Sequence, residues 1–311
     1  VSGPRPGADD LAGVLVVDKP AGMSSHDVVG VVRRGIGAGR RHGPKVGHAG
    51  TLDPDATGVL VVAIGRATRL VPFLQASTKT YDARMQLGTT TSTLDASGDV
   101  LEVRDASGID EQGLCEALKA FVGDIEQIPP MVSAVKVGGE RLHRKARRGE
   151  VVERKPRPIT IHDIVLEDFD PGPPPEAAFL VTCTAGTYIR TLAADVGERL
   201  GVGGHLTALR RLGSGRFSLE GARGLDEVAS LCEAGRLAGA LLSLAEAVAD
   251  YPQISLDAGA VAALRNGRPL EPTGKVGPVA ALDGKGELLG MIADRDGAAR
   301  ALVVLSPAGG S

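Results

Sequence analysis

Gly47-His48-Ala49-Gly50-Thr51-Leu52-Asp53-Pro54-Asp55-Ala56-Thr57-Gly58-Val59-Leu60 sets a carboxylate in a turn bounded by glycine and proline, immediately before an apolar run. Asp-Pro opens many ordinary turns, and Asp and Thr side chains commonly bond nearby backbone amides. A bare Leu-Asp-Pro would say no more than that. Here His, three Gly, Thr, Asp and Pro share one loop that hands over to Gly58–Ile64, which reads as a buried strand. The segment therefore reads as an active-site loop on a rigid base, with Asp53 as its candidate functional group.

Upstream, Gly13-Val14-Leu15-Val16-Val17 reads as a buried strand closed by Asp18-Lys19-Pro20 and an Ala21-Gly22 turn. Ser24-Ser25-His26-Asp27 has the form of a capping box opening a helix over Val28 to Arg34, which the glycine-rich Gly35 to Gly43 ends. Downstream, Tyr81 to Leu87 alternates as a strand does, Ile109 to Phe121 has helical spacing at Leu114, Leu118 and Phe121, and Phe179 to Thr184 is strand again. Helices do not alternate regularly with strands and no Gly-rich nucleotide fingerprint appears, so the fold class is α+β rather than doubly wound.

Asp170 to Pro175 is a stiff surface connection, and a boundary falls near Asp250 to Leu256. Beyond it come a helix, Asp257 to Arg265, and short strands at Val279 to Leu282, Leu288 to Ala293 and Ala301 to Leu305. The expected organisation is a flexible leader over 1–10, a main domain over 11–250, a small appended domain over 251–306 and a flexible tail over 307–311.

The chain has 311 residues, 43% of them apolar, which is enough for one large domain and a smaller one. Only 3% are aromatic and none is Trp, so Val, Leu and Ala must fill the core, and the few Tyr residues, Tyr81 and Tyr188 among them, are candidates for work other than packing. Cys115, Cys183 and Cys232 are odd in number and far apart, which indicates neither a disulfide framework nor a zinc site and fits a reducing cytoplasm. The longest apolar stretch, Leu237 to Ala249, is broken by Ser243 and Glu246, so no membrane span is expected.

A net charge of −3 argues against a nucleic-acid partner until its distribution is read. Met131 to Pro158 carries nine Lys/Arg against three Glu, and Val28 to Gly50 adds Arg33, Arg34, Arg40, Arg41 and Lys45 with no acid. One such patch could be a solvated face. Two flanking a candidate catalytic loop favour a phosphate-rich substrate.

The G-H-x-G-T-L-D-P-x-A-T-G pattern of the opening stretch resembles the signature of the TruB-type pseudouridine synthases, which in bacteria isomerise the T-loop uridine of tRNA. Further stretches resemble that family's motifs in its order: Val16 to Ser25, Lys79-Thr80-Tyr81, Gly88 to Gly98, Gln127 to Lys136, Gly186 to Leu192 and His205 to Arg211. The likeness covers roughly the first 220 residues. The glycine-rich Gly35 to Lys45 is longer than the family's usual link.

The resemblance implies a mixed, mainly antiparallel sheet flanked by helices, an RNA-gripping insertion at 131–158 and a C-terminal PUA-like domain over 251–306. It makes Asp53 the nucleophile, pairs Arg190 with it, and stacks Tyr81 on the extruded base as a candidate for handling the C5 proton. His48 would contact RNA, Tyr188 and Leu209 would line the uracil pocket, and Lys19 would order the first turn and pocket wall. Arg144, Arg147 and Arg148 would grip phosphates. Read without the family, Arg190 could be a surface cation paired with Asp195 or Glu198, and Tyr81, Tyr188 and Leu209 could be core.

The implied reaction breaks C1′–N1 and joins C5 to C1′ without net oxidation or hydrolysis, so neither cofactor nor metal is expected. The implied partner is the tRNA T-arm, with a monomeric protein. Rival expectations are a tRNA-folding chaperone and an RNA-guided relative of the same family.

Overall fold

A computed structural model describes residues 11–37, 43–131, 133, 136–137, 140–141, 148 and 152–305. The described residues divide into two compact units, one within 1–54, 58–76 and 215–311, the other within 55–57 and 77–214.

In the first unit the apolar run predicted to be a strand is Gly13–Lys19, paired antiparallel with Thr57–Ile64 from Gly13 opposite Ile64 to Lys19 opposite Gly58. Val46–His48 pairs with the latter strand, and Arg223–Gly224 lies parallel to the former. Both faces of this pair are covered, which is why the sequence shows unbroken apolar residues instead of alternation. On one face Leu15, Val17, Leu60, Val62 and Ile64 meet the helices Ser25–Gly35 and Leu225–Glu233. On the other, Val14, Val16, Val59 and Val61 pack with Leu70, Leu74, Val248 and Met291. Truncating a fully buried residue such as Leu60 to Ala would cost about 2–5 kcal/mol.

The capping box forms as read: Ser24 accepts from the Asp27 N–H, and the Asp27 carboxylate accepts from the Ser24 N–H. The helix it opens begins at Ser25, three residues before the apolar periodicity starts.

Still in this unit, Gln253–Ser255, Val279–Leu282, Leu288–Arg295 and Ala298–Val304 form a four-stranded sheet, with Asp257 capping the helix Ala258–Arg265. One face has its own core of Leu264, Val279, Ala281, Leu289 and Ile292. Ala280, Leu288 and Met291 belong instead to the core of Val14 and Val59, and Arg66 and Arg69 donate to the carbonyls of Leu305 and Val304. The appended segment is thus fastened by packing as well as by chain connection.

The second unit holds five antiparallel strands in the order Gly204–Ser214, Lys79–Leu87, Glu176–Cys183, Arg157–Asp170 and Gly123–Gln127. Asp170 to Pro175 is the hairpin connection between two of them. The helices Glu111–Lys119 and Ile189–Arg199 contact this sheet and each other. Among the described residues no helix is long and apolar enough to cross a membrane. The expected leader at 1–10, the tail at 307–311 and the cations Arg144 and Arg147 lie outside the described residues.

Candidate active site

Lys19, His48 and Asp53 belong to the first unit; Tyr81, Arg148, Tyr188, Arg190 and Leu209 belong to the second. Each group is built by a different kind of contact.

In the first unit the backbone around Asp53 is fixed from both sides. Lys19 is fully buried, and its ammonium donates to the carbonyls of Pro20 at 2.8 Å, Met23 at 2.6 Å and Pro54 at 2.8 Å. Three donors meet three acceptors, which is how a buried ammonium avoids a heavy desolvation cost. Those bonds lock the Ala21-Gly22 turn and anchor the residue after Asp53. Ser25, also fully buried, accepts from the Leu52 N–H at 2.8 Å and donates to the Leu52 carbonyl at 3.1 Å, anchoring the residue before it. Leu52 is itself buried, so Asp53 stands between two residues held at the main chain. Gly50 turns the chain into this segment at φ +107, a conformation that favours glycine.

His48 ends the short strand that leads into the loop, and its ring meets that of His26 edge-on at 5.2 Å. It also lines a cleft of about 440 Å³ with Arg33, Lys45, Thr68 and Val71. Two cations and a hydroxyl on one cleft suit phosphate or nucleotide groups.

In the second unit, Tyr81 is buried on the Lys79–Leu87 strand, opposite Arg211 and Val181 of its two neighbours. Leu209 stands opposite Ala83, so Tyr81 and Leu209 share one face of adjacent strands on a diagonal. Lys79 is buried on the same strand, and burial together with the Arg211 charge pulls its ammonium down to about 8.

Arg190 is only 4% exposed, which excludes the surface-cation reading. Its partner is neither Asp195 nor Glu198: its guanidinium lies 3.2 Å from the Asp95 carboxylate and donates to the Thr93 carbonyl at 3.2 Å. Glu198 accepts instead from Arg104. Asp95 is held in turn by Thr93 Oγ1 at 2.6 Å and by the Ser97 hydroxyl and N–H. This turn docks on the Gly204–Ser214 strand through Ala96 N–H to Leu206 O and Leu206 N–H to Leu94 O. A Cβ at Gly98 would come within 2.4 Å of Thr93 Oγ1, so the closing glycine of the motif is required by close approach.

Tyr188 is half-buried and begins the helix that carries Arg190, with no side chain capping that helix. The Gln127 amide bonds both main-chain groups of Tyr188: its Nε2 donates to Tyr188 O at 3.0 Å and its Oε1 accepts from Tyr188 N–H at 2.7 Å. Arg148 is exposed in a turn of the basic insertion. Among the described residues no group of three or more His, Cys, Asp or Glu side chains could hold a metal ion.

Ser25, Asp95 and Gln127 carry this architecture without having been singled out by sequence. A weak signal existed for each. Ser25 follows a serine already used as the cap, Asp95 lies inside the Gly88 to Gly98 element, and Gln127 is a polar residue before an Ile-Pro-Pro that ends its strand.

Comparison with known proteins assigns residues 39–249 and 251–306. Residues 39–189 match the model of the TruB family pseudouridylate synthase N-terminal domain, 190–249 that of the tRNA pseudouridylate synthase B C-terminal domain, and 251–306 that of the tRNA pseudouridine synthase II C-terminal region. The chain is 46% identical over 300 residues to the tRNA pseudouridine synthase B of Thermobifida fusca, covering 94% of this chain and 98% of that one. It is 45% identical over 302 residues to the protein of the same name from Mycobacteroides abscessus, covering 96% and 97%. Among solved structures it is similar to a chain of a Cbf5–Nop10–Gar1 complex, with TM-score 0.72 and 29% identity over 95% of this chain and 85% of that chain. A second, from an H/ACA ribonucleoprotein bound to a substrate RNA containing 2′-deoxyuridine, gives TM-score 0.70 and 26% identity over 95% and 86%.

Proposed function

The chain belongs to the TruB family of pseudouridylate synthases, and we propose that it isomerises the T-loop uridine of tRNA to pseudouridine with Asp53 as the nucleophile. The observation that carries the reading is the double anchoring of the loop around Asp53, by Ser25 at Leu52 and by Lys19 at Pro54. A group that must meet one carbon of a flipped nucleotide gains most from such preorganisation, because small misplacement is costly in rate.

The reaction conserves atoms and oxidation level. C1′–N1 breaks, the uracil turns, C5 joins C1′, the C5 hydrogen passes to solvent and N1 regains a proton. One carboxylate suffices because uracil leaves as a stabilised anion and is recaptured, whereas glycoside hydrolysis usually needs a second carboxyl to protonate the leaving group. Asp53 acts either by attacking C1′ or by removing the 2′ proton to give a glycal. Arg190 is the charged group proposed to take part in the chemistry, its guanidinium oriented by Asp95 and Thr93. Tyr81 stacks on the base and handles the C5 proton, while Tyr188 and Leu209 shape the uracil pocket.

Extruding a nucleotide costs a few kcal/mol of stacking. His48 with the Arg33/Lys45 cleft, and Arg144, Arg147 and Arg148 of the insertion, offset that cost through RNA contacts. The segment over 251–306 forms the PUA-like domain and adds tRNA contact. A monomer working in the cytoplasm on the T-arm completes the reading. The two curated relatives, matched near 45% identity over almost their full length, favour a stand-alone tRNA enzyme over an RNA-guided one. The test is incubation with unmodified tRNA and no added cofactor, followed by mapping of pseudouridine. A single modified T-loop site is expected; tight binding without modification would favour the chaperone.

A further inference from the structure

Gln127 is a buried amide, only 3% exposed, at the end of the Gly123–Gln127 strand, and 61 positions of chain separate it from the residue it bonds. Its side chain treats Tyr188 as a neighbouring strand would, giving a hydrogen to the carbonyl and taking one from the N–H. The Tyr188 carbonyl also accepts from Leu192 N–H, the first bond of the helix, so Gln127 grips the point from which Ile189 and Arg190 depart. That helix lacks a side-chain cap, and Gly186 just before it has φ +92. Gln127 therefore supplies a lateral hold on the segment that presents Tyr188 and Arg190.

The same residue stands at the neck of the basic insertion. Its backbone is in register with Arg157, and two residues on, the Pro129 carbonyl accepts from the Arg154 guanidinium at 3.0 Å, closing the neck across 25 positions. The two strands of the neck and the start of the Arg190 helix thus meet at one residue, which pairs with Arg157 along the strand and with Tyr188 through its side chain.

Building on the proposed pseudouridine synthase activity, we propose that Gln127 is a positioning residue, which fixes Tyr188 and Arg190 for the isomerisation and ties them to the base of the RNA-gripping insertion. It touches no reacting atom and acts through the main chain of Tyr188. Only a group with one donor and one acceptor in a planar fork meets both demands. A glutamate of the same shape loses the donor when ionised and regains it when protonated, and at a buried position its carboxyl is pushed toward the neutral form.

The test compares wild type, Gln127→Met and Gln127→Glu in single-turnover pseudouridine formation on unmodified tRNA, with tRNA affinity and thermal melting measured alongside. Gln127→Met is expected to bind tRNA as wild type does and to lose roughly 10²-fold in rate, the scale of a small misplacement at a reacting centre. Gln127→Glu is expected to be equally slow at alkaline pH and to recover toward wild type as pH falls, while the Met variant shows no such recovery. A purely structural role would lower melting temperature without that pH-dependent rescue. Wild-type rate in a folded Gln127→Met protein, or equal pH profiles for Met and Glu variants, would overturn the inference. Should the Met variant fail to fold, the Glu profile alone decides. Failure of wild type to form pseudouridine would instead remove the activity on which the inference rests.

Discussion

The loop of Asp53 and the turn beside Arg190 are both rigid, but they are made rigid in opposite ways. Around Asp53 the fastening acts on the main chain of its neighbours, through the Lys19 ammonium at Pro54 and the Ser25 hydroxyl at Leu52. At Arg190 it acts on the functional group itself, through the Asp95 carboxylate and the Thr93 carbonyl on the guanidinium. The first design fixes position through the backbone on either side of Asp53. The second fixes position through a charge pair, so geometry and electrostatics change together.

The sharpest break of this comparison comes from the functional groups. Asp53→Asn keeps the shape and both anchors, so it should bind tRNA nearly as wild type and lose at least ~10⁴-fold in single-turnover rate. Substantial turnover would show that the anchored loop serves something other than nucleophilic attack. Next, Arg190→Ala should lose roughly 10²–10³-fold in rate with much smaller loss of affinity, since the proposed chemistry uses its fixed positive charge. Arg190→Lys should recover only part, because an ammonium cannot reproduce the planar fork that meets Asp95 and Thr93 together. Equal losses in affinity and rate would make Arg190 a phosphate contact instead.

The fastenings themselves should separate next. Ser25→Ala leaves both buried main-chain groups of Leu52 without their hydroxyl and should cost about 1–3 kcal/mol of stability, read by urea denaturation, with an accompanying rate loss. Asp95→Asn keeps the turn but removes the charge opposite Arg190, so its defect should fall mainly on rate. If the two variants lost stability and rate in the same proportion, the distinction between backbone and charge fastening would fail.

The smallest effect is electrostatic and concerns Lys79. Burial and Arg211 hold its ammonium at about 8 against an ordinary 10.5, so above pH 8 the unfolded chain binds the proton more tightly than the folded one and stability rises with pH. Burial pushes the nearby Cys183 thiol from 9.0 up to about 11, and its opposite slope sets in above pH 9. Stability should therefore climb by about 1 kcal/mol between pH 8 and pH 9 and then flatten. Lys79→Met should remove the climb; an unchanged pH profile would mean the folded state does not disfavour that charge.

Legibility followed the range of the interaction. The Ser24/Asp27 capping box and the Gly13–Lys19 strand are written in residues within one turn or one run, and both were readable. Strand limits were off by a few positions, as at Glu176–Cys183, where the hairpin beginning at Asp170 extends the pairing past the apolar core of the run. The Asp53 loop announced itself as a motif. Its anchors did not: Ser25 is 27 positions from Leu52, and a capping serine beside it absorbs the obvious reading. Helical spacing offers Arg190 the acids Asp195 and Glu198 of its own helix, whereas Asp95, with which it pairs, lies elsewhere in the chain. Side-chain partners that depend on which strands become neighbours leave no spacing rule to read.

One measurement tests the central claim most directly. Isomerisation must exchange the hydrogen at C5 of uracil for a bond to C1′, whereas binding or refolding leaves that hydrogen in place. Transfer RNA carrying tritium at C5 of uridine should release label to water with wild-type protein, matching about one uridine per tRNA for a pocket that reads one flipped base, and release should vanish with Asp53→Asn. Tight binding of folded tRNA by wild type with no tritium release, or undiminished release by Asp53→Asn, would contradict it.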